Sequence, residues 1–253
     1  QAFTELQRLH DQLSFHSANS DLSILNQKLL QKVPTAVHLS DELSEILALA
    51  QRLYKLSDGY YDVTIAPDLV LNKQLPNHLH ISQQNYGNFA DLLINDRTMV
   101  ASKPTCIDLG GIAKGYAVDC AIAKIPADCK AIINAGGDLY HSHWQGELVK
   151  IKYGEKYSAQ KPYTMQNAAL ATSANYYQGN ASVFSDPKTH QQQFIAGSVS
   201  VFASRVMIAD ALTKVVLLCP KKIVKSALAF FNAQAVTINR FGFSHKIEPL
   251  WPE

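Results

Sequence analysis

Apolar positions recur with a helical period at the start of the chain. Phe3, Leu6, Leu9 and Leu13 share one face, so residues 2–14 predict an amphipathic helix. Ser40 is a good N-cap, and Leu43, Ile46, Leu47, Ala50 and Leu53 predict a second helix behind it. That stripe stops at Ser57-Asp58-Gly59, a turn signal. Residues 60–65 then read as a strand closed by Pro67, with Tyr60 and Tyr61 on opposite faces. Residues 71–90 mix Asn, Gln, His and Pro without a period and read as loop. Thr105, Cys106 and Ile107 predict the end of a strand. After Gly110 and Gly111, the residues Ile112, Tyr116, Ala117 and Cys120 return to helical spacing. Residues 131–134 predict a strand running into a turn at Gly136-Gly137. Residues 150–153 and 170–172 predict further strands, and residues 192–203 a strand pair broken at 196–198. Residues 208–218 predict a helix stopped by Pro220, 223–231 a short helix, and 235–238 a last strand. Strands and helices mix without strict βαβ alternation. The expected fold is α+β, with mixed or largely antiparallel sheets and flanking helices. No repeat, low-complexity run or linker divides residues 1–253, so one structural unit is expected.

Composition narrows the class. The 253 residues suffice for one large domain or two small interlocked ones. A hydrophobic share of 47% against 17% charged describes a globular chain. A net charge of +2 gives no strong pull toward nucleic acid or an anionic membrane, and no nucleic-acid partner is expected. No apolar run approaches the ~20 residues that span a bilayer. No signal peptide is visible, and the chain starts at Gln1 rather than Met, so an export signal lost by processing stays open. Cys106, Cys120, Cys129 and Cys219 form no C-x-x-C pair and suit buried free thiols.

The chemistry concentrates at residues 108–119. Two glycines allow backbone angles closed to other residues and let a ligand approach the main chain. The free N–H groups of the helix that follows form an anion site, and Lys114, about one turn in, can reach a phosphate. This suits a phosphate cradle, although neither the P-loop nor the dinucleotide glycine spacing is present. A tight turn without a ligand is the other reading. Asp138, after Gly136-Gly137, orients either that turn as an Asx turn or a ligand ribose.

The stretch Asp108-Leu109-Gly110-Gly111-Ile112-Ala113-Lys114-Gly115-Tyr116-Ala117-Val118-Asp119 resembles the signature of the ApbE family. These are the FAD:protein FMN transferases, also known as thiamine-biosynthesis lipoproteins. Four more segments resemble that family in the right order. Leu13-Ser14-Phe15-His16 with Ser20 to Asn26 is similar to its LSxY…SxLxxLN segment, and Ser57 to Thr64 to its TGGAFDVTV stretch. Asn134-Ala135-Gly136-Gly137-Asp138 is similar to its NxGGD turn, and Ala209-Asp210-Ala211-Leu212 to the start of its ADALAT helix.

The resemblance implies an enzyme that binds FAD, uses Mg²⁺, and attaches FMN to a Ser or Thr of an acceptor flavoprotein subunit. It implies FAD contacts at His16, Tyr60, Tyr61, Asp62, Asp108, Gly110, Gly111 and Lys114. It implies metal ligation by the Gly111 main chain and by Asp210, the catalytic carboxylate, with Thr213 beside it. It also implies a periplasmic location, or the outer face of the inner membrane, with membrane contact only through a removed lipid anchor.

Four departures bear on these roles. The family's strand with an M-G-T motif, whose Met lies against the flavin, is not found before residue 2, and residues 71–90 lack its W-G-F pattern. His16 stands where Tyr is common; it stacks on a ring or is a loop histidine. Residues 183–190 resemble the family's HIIDPRTG, but Val183 replaces its histidine, a candidate proton carrier, and His190 replaces its last glycine. Lys214 stands where Thr is typical. It either pairs with Asp210 and replaces a ligand or the ion, or points to solvent and leaves Thr213 as the hydroxyl ligand. Two alternatives to the transferase follow: a catalytically impaired flavin-binding relative, and an FAD pyrophosphatase releasing FMN and AMP.

Overall fold

A computed structural model describes residues 1–31, 33–82, 86–151, 162–174, 182–195, 197–239 and 241–249. The chain begins with α1 (Ala2–Leu13), α2 (Asp21–Gln31), β1 (Thr35–His38) and α3 (Asp41–Leu56). A 3-10 turn at Val63–Ile65 runs into α4 (Ala66–Leu71), and another at Phe89–Asp91 leads to β2 (Leu92–Asn95) and β3 (Thr98–Ala101). After α5 (Ala113–Ile122) come β4 (Ile132–Ala135), β5 (Asp138–His141), β6 (Leu148–Val149), β7 (Tyr163–Thr164) and β8 (Ala169–Ala174). Then follow β9 (Ser182–Ser185), β10 (Gln192–Ile195), β11 (Gly197–Ala203), α6 (Val206–Leu218), α7 (Lys221–Phe230), β12 (Gln234–Asn239) and β13 (Ser244–Ile247). The fold is α+β with antiparallel pairing, as the irregular alternation predicts.

The chain packs as two compact units. The first holds Gln1–Leu6, Lys114–Phe184 and Gln192–Glu253; the second holds Gln7–Ala113 and Ser185–Gln191. In the first, a six-stranded antiparallel sheet runs in the order β13-β12-β11-β8-β5-β4. Ile151, Met165, Leu170, Phe202, Val236 and Ile238 form one buried cluster there. The start of α5 passes close to the start of α6. A Cβ on Gly115 would lie 2.5 Å from the Val206 carbonyl oxygen, so a side chain there would force backbone to move. Asp119 of α5 then accepts from the free N–H groups of Val206 (2.8 Å) and Met207 (3.1 Å), a carboxylate cap on α6 from another helix.

In the second unit, β1, β3 and β2 form a three-stranded antiparallel sheet. Ser40 caps α3 as predicted, accepting from the Leu43 N–H, and Leu43, Ile46, Leu47, Ala50 and Leu53 are all buried.

Several expectations need correction. Residues 60–65 form no strand. Asp62 Oδ1 accepts from the Thr64 N–H (2.8 Å) and hydroxyl (2.7 Å), which starts the 3-10 turn despite β-prone Tyr, Val, Thr and Ile. Pro67 lies in the first turn of α4, where its missing N–H costs nothing, so it opens a helix rather than closing a strand. Residues 105–107 belong to no strand. The buried Asn26 amide pairs with both main-chain groups of Ile107, each at 2.8 Å, as a neighbouring strand would. The strand expected at 150–153 falls at Leu148–Val149, and residues 152, 153 and 196 lie outside the described ones. β13 was not anticipated.

Candidate functional site

In the first unit, the described residues bring five predicted positions into one network. Lys114 is the second residue of α5, nearer its start than the sequence spacing suggests. Its Nζ donates to Asp138 Oδ2 at 2.9 Å and lies 3.5 Å from Asp210 Oδ2. Asp138 opens β5 and is buried, so it serves neither as an Asx turn nor as a free carboxylate. Asn134 closes the Gly136-Gly137 turn instead, accepting from the Gly137 N–H at 3.0 Å. Asp210, on α6, is 1% exposed. One turn further on, Lys214 donates to its Oδ1 at 2.7 Å and to Ser173 Oγ at 3.1 Å. The Gly115 N–H reaches Asp210 Oδ2 at 3.4 Å. Thr213 donates to the Asp210 carbonyl (2.6 Å) and lies 2.7 Å from Ser173 Oγ.

Two carboxylates and two ammonium groups therefore sit together. Burial opposes charge on Asp210, but Lys214 and then Lys114 outweigh it and hold that carboxyl below its ordinary range. Burial, reinforced by Asp210, pushes Asp138 up to about 6 against the pull of Lys114. Burial works against charge on Lys114 too, yet Asp210 and Asp138 raise its pKa. Half of the Lys114 side chain (55%) stays exposed, against 18% for Lys214. Lys114 is thus a fixed ammonium that an anion can still reach.

The same residues do not fit a divalent ion. Both Asp210 oxygens are engaged, one by Lys214 and the other by the Gly115 N–H. Among the described residues, no three His, Cys, Asp or Glu side chains are grouped to hold a metal.

The second unit carries a cavity of about 80 Å³ lined by Asp62, Asp68, Tyr86, Asn88, Pro187 and His190, among others. Asp68 is 2% exposed. Its Oδ2 pairs with His190 Nδ1 at 2.8 Å, and its Oδ1 is buried with no hydrogen-bond partner among the described residues. His190 ends an Asp186-Pro187 turn in which Lys188 N–H bonds to Asp186 Oδ1 (2.8 Å). Its φ of 57° is the left-handed conformation that glycine favours and His tolerates. Lys188 pairs with Asp58 at 2.7 Å and lies 4.2 Å from the Tyr60 ring centroid.

The other expected flavin contacts have local roles. Asp62 spends Oδ1 on Thr64 and Oδ2 on the Phe89 N–H (3.2 Å), and burial raises its pKa. Tyr61 is buried and Tyr60 half-buried. His16 is exposed after α1. Asp108 accepts from the Gly110 N–H at 3.0 Å, a turn made without left-handed φ at Gly110. Asp68 and Ser173 escaped the sequence reading. A lone carboxylate beside the apolar run 69–71 was the available signal for Asp68; Ser173 offered none.

The antiparallel α+β fold and the lysine–carboxylate network define a protein with an anion-accessible ammonium beside a charge-neutral core. The chain belongs to the ApbE family, whose sequence model matches residues 1–237. It is 32% identical over 172 residues to an FAD:protein FMN transferase of Chlamydia pneumoniae, covering 63% of this chain and 53% of that protein. It is 25% identical over 238 residues to one of Haemophilus influenzae, covering 82% and 68%. The chain thus spans about half the length of the first relative and two thirds of the second. In solved structures, its fold is similar to a flavin transferase ApbE of Vibrio cholerae, with TM-score 0.77, 20% identity, and 97% and 87% of the two chains covered. It is also similar to an ApbE protein of Thermotoga maritima, with TM-score 0.76, 21% identity, and 98% and 87% covered.

Proposed function

We propose that the chain binds FAD and has the activity its relatives are named for, FAD:protein FMN transfer, with a Ser or Thr hydroxyl of a partner protein as the acceptor. The observation that carries this reading is Lys114, an ammonium held by Asp138 and Asp210 at the start of α5 with half its side chain in water. In the reaction, the acceptor oxygen attacks the phosphorus on the FMN side of the pyrophosphate. The bridging P–O bond breaks, and AMP leaves. Lys114 neutralises phosphate charge. The proton of the attacking hydroxyl passes to water. The Mg²⁺ that the family resemblance implies does not fit Asp210 as placed, with both of its oxygens engaged. The periplasmic or outer-face location belongs to the same reading.

A flavin-binding relative without turnover is the second reading, favoured by the engagement of both Asp210 oxygens. The test incubates purified protein with FAD and a flavoprotein subunit bearing a Ser or Thr target, then weighs the subunit. A mass gain of one FMN supports transfer. Bound FAD with no mass gain and no AMP supports the second reading. Free FMN and AMP with an unlabelled subunit would instead make the protein a pyrophosphatase.

A further inference from the structure

We propose that Lys214 takes the place of a divalent cation in this chain, so that anionic ligands are held at Lys114 without a metal. The nature of the anion rests on the flavin-transferase reading; the replacement of the cation does not. Asp210 and Lys214 are four residues apart on α6, with the acid N-terminal to the base, the favourable orientation. The 2.7 Å contact is therefore intrinsic to the helix and needs no ligand to form.

The hydroxyls close the site further. Thr213 has one proton, and it goes to the Asp210 carbonyl. The bond between Ser173 and Thr213 must then use the Ser173 proton, with Thr213 Oγ1 accepting. Ser173 Oγ in turn accepts from Lys214. The chain Lys214, Ser173, Thr213, Asp210 carbonyl is thus directional. Its Ser173 and Thr213 protons are both committed, and it ends where it began on α6.

A divalent ion entering at Asp210 would meet Lys214 on one oxygen and Lys114 on the other. It would have to displace a tethered ammonium and then sit beside two like charges. Magnesium demands near-octahedral oxygen ligation, and Asp210 offers it no unengaged oxygen. An ammonium has one charge and three donors, and here they stabilise the carboxylate without leaving a site for a second cation.

Manganese, a paramagnetic stand-in for magnesium, gives a readout that needs neither flavin nor turnover. Electron paramagnetic resonance would follow Mn²⁺ binding to the purified chain, to Asp210→Asn and to Lys214→Thr, with circular dichroism as the folding control. The parent and Asp210→Asn should bind Mn²⁺ equally weakly. Lys214→Thr should bind it at least about tenfold more tightly, because it frees an oxygen and removes one repelling charge. That gain should vanish in Lys214→Thr/Asp210→Asn. Lys214→Met, which keeps the stem, serves the same comparison if the Thr variant does not fold. A one-to-one Mn²⁺ site in the parent that Asp210→Asn abolishes would overturn the proposal. So would folded Lys214 variants that bind Mn²⁺ no better than the parent. FAD titration with and without EDTA runs in parallel, and parent affinity should change less than about twofold. If no variant binds FAD, the flavin reading fails, while the Mn²⁺ comparison still decides the role of Lys214.

Discussion

Asp210 and Asp68 are both almost wholly buried carboxylates, and the fold treats them in opposite ways. Asp210 sits among two ammonium groups and a main-chain N–H, with each oxygen engaged. Asp68 shares one oxygen with a half-exposed imidazole and leaves the other buried with no partner among the described residues. A saturated network holds its charges in one geometry and resists substitution at any member. An unpartnered buried acceptor costs stability and persists where a donor from outside can satisfy it. The α6 carboxylate is therefore saturated, while the one beside His190 keeps an unmatched acceptor.

Stability measurements separate the two. The largest effect is expected at α6. Asp210→Asn leaves Lys214 partly buried beside a neutral amide and should lower unfolding free energy by about 3 kcal/mol in urea titrations. Adding Lys214→Met should recover more than half of the loss, because a methionine needs no counter-charge. A single variant as stable as the parent would mean that the ion pairs do not hold α6 in place.

A smaller effect belongs to Asp138 and depends on pH. Its folded pKa of about 6 lies above the ordinary 3.8, so its contribution to stability is fully present below 3.8 and is lost as pH rises through about 6. The stability of the parent relative to Asp138→Asn should therefore fall between pH 4 and 6, by about 1–3 kcal/mol. A pH-independent difference would show that Lys114 fully offsets the burial of Asp138.

The smallest effect is expected at Asp68. Its unpaired oxygen contributes desolvation cost without a matching bond, so Asp68→Leu should stay within about 1 kcal/mol of the parent, or exceed it. A loss as large as that of Asp210→Asn would put a stabilising donor on Oδ1 and erase the contrast.

Much of this was readable along the chain, and the misreadings share a cause. The stripe of α3 and its Ser40 cap are local, and so is the Asp210–Lys214 pair at a spacing of four on α6. Residues 60–65 were misread because one Asp62 side chain outweighed the β preference of five neighbours. Residues 105–107 have the composition of a strand, but their partner is the side chain of Asn26, 81 residues away from Ile107. Gly110 attracted notice as a flexible turn residue, while the tighter backbone approach is at Gly115.

The order of residues thus carried the ApbE signature, the α+β class and the spacing of four that lets Lys214 reach Asp210 on one helix. Those depend on local geometry that any helix repeats. What folding added lies between distant residues: Lys114 with Asp138 across 24 positions, Lys214 with Ser173 across 41, and Asp68 with His190 across 122. No period or propensity encodes such pairs, because sheet pairing and helix packing bring them together.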